Sequence, residues 1–283
     1  MVQIITDSAA DFEPYELEKM NVRCVPFSVT FGNEEYKENI NLTKQQFYTL
    51  LKEKNDFPNT SQPSPHSFES ILKNMKNSGC EAVVISLSSA LSGAYQSAVL
   101  AKNQLEYDEC YIIDSLTASG GERILVEQAV KLRDAGKSAS EIACFLETLR
   151  SRISLYACID SVDYLYKGGR ISRAACTIAS VAHIKPIIHV LRDGSIDIAA
   201  KSLGIKRTMD FIKKILDKYP PDKDFPFYVL YTGNKKCGKI LAEYFEKTDY
   251  EIPDANIIDV GAAIGSHIGP NAFGIAYVRI FED

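Results

Sequence analysis

The chain has 283 residues, 46% of them hydrophobic and 24% charged, and carries a formal net charge of −5. This length exceeds the usual single domain and leaves capacity for a large core. The acidic balance lacks the basic stripe that nucleic-acid binding requires, and the longest apolar runs are too short to span a bilayer.

Strand-like and helix-like segments alternate from the start. Residues 2–6 read as a strand, 14–20 as a short helix, and 22–31 as one or two strands ending at Gly32-Asn33. A helix over 43–54 opens at Thr43, and Pro65 at a first helical position places another over 64–77. Strands over 82–87 and 110–114 follow, each succeeded by a helix, the first of these over 95–105. This is the βαβα pattern of a parallel sheet covered by helices on both faces.

Residues 117–149 are helical with a break near Gly136, and Ile142, Phe145, Leu146 and Leu149 form an amphipathic face. A domain boundary is expected near residue 150, dividing an N-terminal α/β domain, 1–150, from a C-terminal α+β domain, 151–283. In the second half, 155–159 reads as strand, 160–167 and 171–181 as helices around Gly168-Gly169. Strands over 184–191 and 195–200 flank Arg192-Asp193-Gly194, a hairpin signal. Then come helix 205–219, strand 227–231, helix 235–247, strand 255–260 and a last strand over 274–281. A mixed sheet with its helices on one face is expected here, with the ligand in the interdomain cleft.

Two loops are crowded with hydroxyls where a strand gives way to a helix: Thr60-Ser61-Gln62-Pro63-Ser64-Pro65 and Ser86-Leu87-Ser88-Ser89-Ala90-Leu91-Ser92-Gly93. At the carboxyl edge of a parallel sheet, such residues offer hydroxyl and amide donors to a ligand, or simply cap a helix. Asp7 and Asp11 follow the first strand and fit either a carboxylate pair for metal or acid–base work or, preferred here, an Asx-type turn with a helix cap. Of four histidines, His267 stands out, in a Gly-rich turn after a short helical piece. His66 and His189 read as structural. Lys167-Gly168-Gly169-Arg170 lacks Walker spacing and reads as a glycine C-cap beside solvated basic residues. The seven cysteines form no C-x-x-C pair and favour reduced, buried thiols. With no signal-like start, the expected location is cytoplasmic.

Taken together, these motifs resemble the DegV family, whose better-understood members are the fatty-acid-binding subunits of bacterial fatty acid kinase. The resemblance runs through Ile5-Thr6-Asp7-Ser8, Thr60-Ser61-Gln62-Pro63-Ser64, Ser88-Ser89-Ala90-Leu91-Ser92-Gly93, Asp114-Ser115, Lys167-Gly168-Gly169-Arg170, Ile184-Lys185-Pro186-Ile187 and His267-Ile268-Gly269-Pro270. It implies a two-domain protein holding one long-chain fatty acid of the palmitate kind, its tail buried and its carboxylate in the cleft. Thr60 and Ser92 would hydrogen-bond the carboxylate, with Ser61 and the Gly93 backbone beside them and His267 near the same head group. The protein would perform no chemistry itself and need no cofactor or metal. Its acid would be carried in transport or presented to an ATP-dependent fatty acid kinase, with transient contact at a membrane surface allowed.

Three positions depart from the family pattern. Leu203 falls where an Arg commonly follows the hairpin, Asn271 where Gly is frequent, and Ala94 replaces a common Thr. Lys201, Lys206 and Arg207 are the nearest candidates to replace the missing Arg. If no Arg reaches the head group, desolvation should raise the bound acid's pKa. The tail supplies affinity in any case, since ~15 methylenes at about 0.8 kcal/mol each give roughly 12 kcal/mol before association costs.

Two other readings stand beside this one. A hydrolase or phosphotransferase would use Ser92 with His267, or Asp7 with Asp11; a purely structural or regulatory domain would retain no ligand.

Overall fold

The computed structural model describes residues 1–54, 56–172, 185–245 and 252–280. Four parallel strands, β1 (Val2–Asp7), β2 (Val22–Val25), β6 (Glu81–Ser86) and β7 (Cys110–Asp114), form a sheet in the order β2-β1-β6-β7. Successive side chains on β1 and β6 point to opposite faces. Ile5, Ala82 and Val84 meet Phe68 and Leu72 of α3 (Pro65–Asn77) and Ala98 of α4 (Ala94–Gln104). Ile4, Val83 and Ile85 meet Ile124 and Leu125 of α5 (Gly120–Asp134) and Ile142 and Leu146 of α6 (Ala139–Leu149). Burial on both faces explains why these strands read as continuous apolar runs.

The second sheet has six strands in the order β10-β9-β8-β13-β11-β12. They are β8 (Ile153–Cys158), β9 (Lys185–Val190), β10 (Ile196–Ser202), β11 (Tyr228–Tyr231), β12 (Ile257–Asp259) and β13 (Phe273–Val278). Among the described residues only its β11–β12 pair is parallel. Helices α8 (Ile205–Lys218) and α9 (Lys235–Phe245) cover one face, through Met209, Ile212, Leu216 and Leu241. The other face turns toward α5, so that one helix lies between the two sheets. Leu155, Leu230, Ala276 and Val278 share a single core with Ile124 and Val126.

The expected hairpin forms between β9 and β10, with Gly194 at φ 81° closing the turn. Its tip is fastened to the other half of the molecule, because Ser88 Oγ donates to the Gly194 carbonyl at 2.9 Å. The helix starts also follow the sequence: Ser64 caps α3 ahead of Pro65, and Ser138 with Glu141 forms a capping box on α6.

Several expectations need correcting. The helix expected from residue 117 begins at Gly120, because Leu116 and Ser119 sit at positive φ in the loop before it. A small antiparallel sheet, β4-β3-β5, was not anticipated beyond its middle strand β3 (Ser28–Phe31). Its flanks, β4 (Glu34–Lys37) and β5 (Asn59–Ser61), are short and polar, without the apolar alternation that marks a strand. His267 lies in the last turn of helix α10 (Ala262–Ile268), not in a flexible turn. Cys144 is exposed on α6, so not every thiol is buried. The helix expected over 171–181 falls largely outside the described residues, as do the ends of the helix expected to reach 247 and of the strand expected to reach 281. The remaining helices are α1 (Pro14–Lys19), α2 (Lys44–Lys54) and α7 (Asp163–Lys167).

Candidate functional site

Between the two sheets lies a cavity that, mouth included, holds about 790 Å³ of space free of protein atoms. Leu87, Leu91 and Ala118 wall it from the first sheet, and Leu155, Ala157, Ile188, Leu230 and Phe273 from the second. Ala263, Ile264 and Ile268 of α10 and Leu165 of α7 complete it. The alternation of β8 is what supplies this wall, since Leu155 and Ala157 face inward together.

Polar groups gather at one place on this apolar lining. Thr60 Oγ1 lies 2.7 Å from His267 Nε2, brought there because β5 pairs with β3 and α10 runs across them. Ser92 is 8% exposed and lines the cavity, its Oγ accepting the Ala94 amide at 3.2 Å and so keeping its own proton free to donate. Of the five residues singled out from sequence, Thr60, Ser92 and His267 line the cavity; Ser61 and Gly93 do not. Ser61 is exposed, on the opposite side of β5 from Thr60. The Gly93 amide donates to Gln62 Oε1 at 2.8 Å, which straps the two hydroxyl loops together.

Burial, reinforced by the charge of Arg170, pushes the His267 imidazole down to about 4, so it is neutral near pH 7. Its Nδ1 is buried without a hydrogen-bond partner among the described residues and packs against Gly168, where a Cβ would collide with it. A short, close approach of this kind requires glycine.

Sequence reading missed Arg170, taken for a solvated residue. The structure places it on the cavity wall, half-buried, with Nε donating to the Leu91 carbonyl at 2.9 Å and Nη1 to the Gly168 carbonyl. Among the described residues no carboxylate is paired with it. Burial lowers its pKa from the ordinary arginine value. The gap left by Leu203 is thus not a gap in charge at the cavity. Leu203 is 52% exposed, and Lys201, Lys206 and Arg207 are exposed and outside the lining.

The acids after β1 belong to a buried network that positions these elements. Asp7 accepts from Ser86 Oγ at 2.7 Å, the Leu87 amide at 2.9 Å and the Ala9 amide at 3.0 Å, fixing the second hydroxyl loop on the sheet edge. Asp11 accepts from the Gly261 amide at 2.8 Å and from Ser119, and Glu38 accepts from Ser8 Oγ at 2.6 Å and from the Ala262 and Ala263 amides. Burial drives both carboxyls up, Asp11 to about 6 and Glu38 to about 7, with Asp11 adding to the push on Glu38. Glu122, beside Asp7, is held well above the carboxylate range by burial and accepts from Thr6 Oγ1 at 3.1 Å. Glu38 and Glu122 were not anticipated. They come from 30 and 116 residues away from their hydroxyl partners. Among the described residues no group of three or more His, Cys, Asp or Glu is arranged to hold a metal ion.

The geometry therefore defines an α/β protein with an apolar cavity between its two larger sheets and one polar corner. A model of the DegV family, described as uncharacterised, matches residues 1–279, and the chain belongs to that family. It is 30% identical to a DegV domain-containing protein of Clostridium acetobutylicum, covering 98% of both chains, and 31% identical to another of Lactococcus lactis, covering 96% of each. Among solved structures it resembles a stearic acid-binding protein from Eubacterium ventriosum at 26% identity and TM-score 0.87, covering 99% of this chain and 98% of that one. It also resembles a DegV family protein from Thermus thermophilus described for fatty acid binding, at 25% identity and TM-score 0.89, and DegV, a fatty acid binding protein from Bacillus subtilis, at 27% and 0.84; each match covers 99% of both chains.

Proposed function

We propose that this protein binds one long-chain fatty acid, with the acyl tail in the cavity between the sheets and the carboxylate against Thr60 and Ser92. The observation that carries this reading is the lining itself: apolar walls with Thr60, Ser92, His267 and Arg170 as neighbours at one corner. Two other wall hydroxyls are engaged elsewhere: Ser119 donates to Asp11, and Thr232 accepts the Ala272 amide at 2.7 Å and donates to the Ala272 carbonyl at 3.5 Å.

A neutral His267 can donate Nε2–H to Thr60 Oγ1, which frees the threonine proton for a carboxylate oxygen. The Ser92 hydroxyl supplies a second donor, and Arg170 a positive charge. These oppose desolvation and keep the bound acid ionised, in contrast to the neutral form expected if no arginine were present.

The same geometry speaks against catalysis by Ser92. The imidazole pairs with Thr60 instead, and the expected serine–base hydrogen bond is not among those of the described residues. Asp7 and Asp11 are committed to amides and hydroxyls of the buried network. The reading is therefore a carrier that transports its acid or presents it to an ATP-dependent fatty acid kinase, a partner that the family resemblance supports. Organic extraction of purified protein and mass spectrometry test it: one acid of about 14–20 carbons per chain is expected, and a protein that neither carries nor takes up such an acid would end the proposal. Acyl phosphate formation that needs both this protein and a kinase would establish the presenting role.

A further inference from the structure

A second cavity lies behind the first, on the opposite face of β8 and β9. Where Leu155, Ala157 and Ile188 face the acyl cavity, Ser154, Tyr156 and His189 face this groove, and Val190 contributes to both. The groove encloses about 770 Å³, mouth included, and its character is cationic. Arg150 enters from the end of α6, Arg192 from the hairpin tip and Arg279 from beyond β13; no acidic side chain lines it among the described residues.

The charges there are little neutralised. Arg279 donates to the carbonyls of Ser151 at 2.6 Å and Arg152 at 3.3 Å, and Arg150 to the Asp114 carbonyl at 2.7 Å. The nearest carboxylate to Arg150 is Glu147 at 3.7 Å, on the exposed side of the helix. Arg192 is exposed and makes no hydrogen bond or ion pair with the described residues. Asp197, across β10 from His189, is the acid facing that ring, while Asp222 is taken by Arg152. The floor is firm: Tyr156 and His189 are cross-strand partners stacked at 5.6 Å, and Lys218 stands 4.9 Å from the ring of Tyr219 at the rim.

We infer that this groove is a second binding site, for a small molecule bearing phosphate groups, separate from the acyl cavity. Planar guanidinium forks match phosphate oxygens two at a time, and three forks facing one hollow, opposed among the described residues only by the exposed Glu147 at 3.7 Å from Arg150, make a site for a multiply charged anion. Carbonyl-anchored arginines such as Arg150 and Arg279 are already held in place, so little side-chain freedom remains to be lost on binding. The Ser154 hydroxyl on the same wall adds an uncharged donor.

The test is calorimetric titration of the full chain with inorganic pyrophosphate at constant ionic strength. One saturable site with half-saturation at or below about 1 mM is expected, weakened at least about tenfold in Arg192→Gln and in Arg150→Gln. Lys73→Gln, on the exposed face of α3, should leave it unchanged, and all three variants should keep the wild-type content of extractable fatty acid. No saturation by about 10 mM, or an equal loss in Lys73→Gln, would overturn the site. A parallel arm sediments the protein with phosphatidylglycerol and phosphatidylcholine vesicles. Arg192-dependent binding to the anionic vesicles that pyrophosphate cannot displace would reassign the groove to a membrane surface.

Discussion

Thr60 Oγ1 and His267 Nε2 meet at 2.7 Å across 207 residues of sequence. The hydrogen bond joins the edge strand of a three-stranded sheet to the last turn of a seven-residue helix, and both sides of it face the cavity. Replacing Thr60 by Val removes the oxygen but keeps the shape. A buried imidazole nitrogen then loses its partner, at a cost of about 1–3 kcal/mol in stability. Thermal melts should show the loss, and fatty acid exchange should show weaker retention; an unchanged affinity would separate Thr60 from the head group.

Arg170 should act on charge and little on the tail. Arg170→Gln is expected to weaken binding of a long-chain acid by about tenfold or more, while affinity for the methyl ester of the same acid changes little. Competition with a fluorescent acyl probe distinguishes the two, and equal losses for acid and ester would place the effect of Arg170 in packing.

The carboxyl of Glu38 gives a pH dependence with a defined sign. Its pKa is raised by burial from 4.5 to about 7, so between these values the folded state binds the proton that the unfolded state has released. Its contribution to stability is therefore complete below about pH 4.5 and lost as pH rises through about 7. Glu38→Gln keeps acceptors for the Ala262 and Ala263 amides and cannot ionise. Relative to this variant, the wild type should lose up to about 3 kcal/mol between pH 5 and pH 8. Parallel denaturation curves for the two proteins would show a constant gap if the inference were wrong.

Gly168 is irreplaceable for steric reasons. Gly168→Ala drives a methyl group into His267 Nδ1, with overpacking expected to cost about 1–3 kcal/mol, and it should disturb acyl retention as well. Gly79 has open space at the same position but sits at φ 64°, so Gly79→Ala costs only backbone strain and should leave retention intact. Comparing the fatty acid content of the two purified variants checks this.

Much of the architecture was legible because its signals are local. Ser64-Pro65 marks a helix start, Arg192-Asp193-Gly194 a hairpin, and the apolar runs of β1 and β6 a sheet buried on both faces. The site was legible only in part. Thr60, Ser92 and His267 stood out through motif resemblance. Arg170 did not, since its partner is the carbonyl of Leu91, 79 residues distant, and a basic residue after two glycines looks solvated. Glu38 and Glu122 lie in segments that read as ordinary polar surface; only the assembled fold encloses them. β5 escaped notice because three polar residues on an edge leave no periodic trace.

The placement of α5 between the larger sheets sets which part of the cavity wall can open. Tyr228 of the second sheet bonds Glu127 on this helix, and Arg123, one turn earlier, lies 4.2 Å from the ring of Phe12 and 5.5 Å from that of Tyr228. Prising the two halves apart would tear this seam and wet the Ile124–Leu230 core, so the vessel keeps its walls. Under the proposed function, acyl passage is expected at the rim, where α7 and α10 are each too short to stand alone and lean on one another through Gly168 and Gly269. Amide hydrogen exchange should accordingly be fast at the rim and slow along α5, in the empty protein as in the filled one.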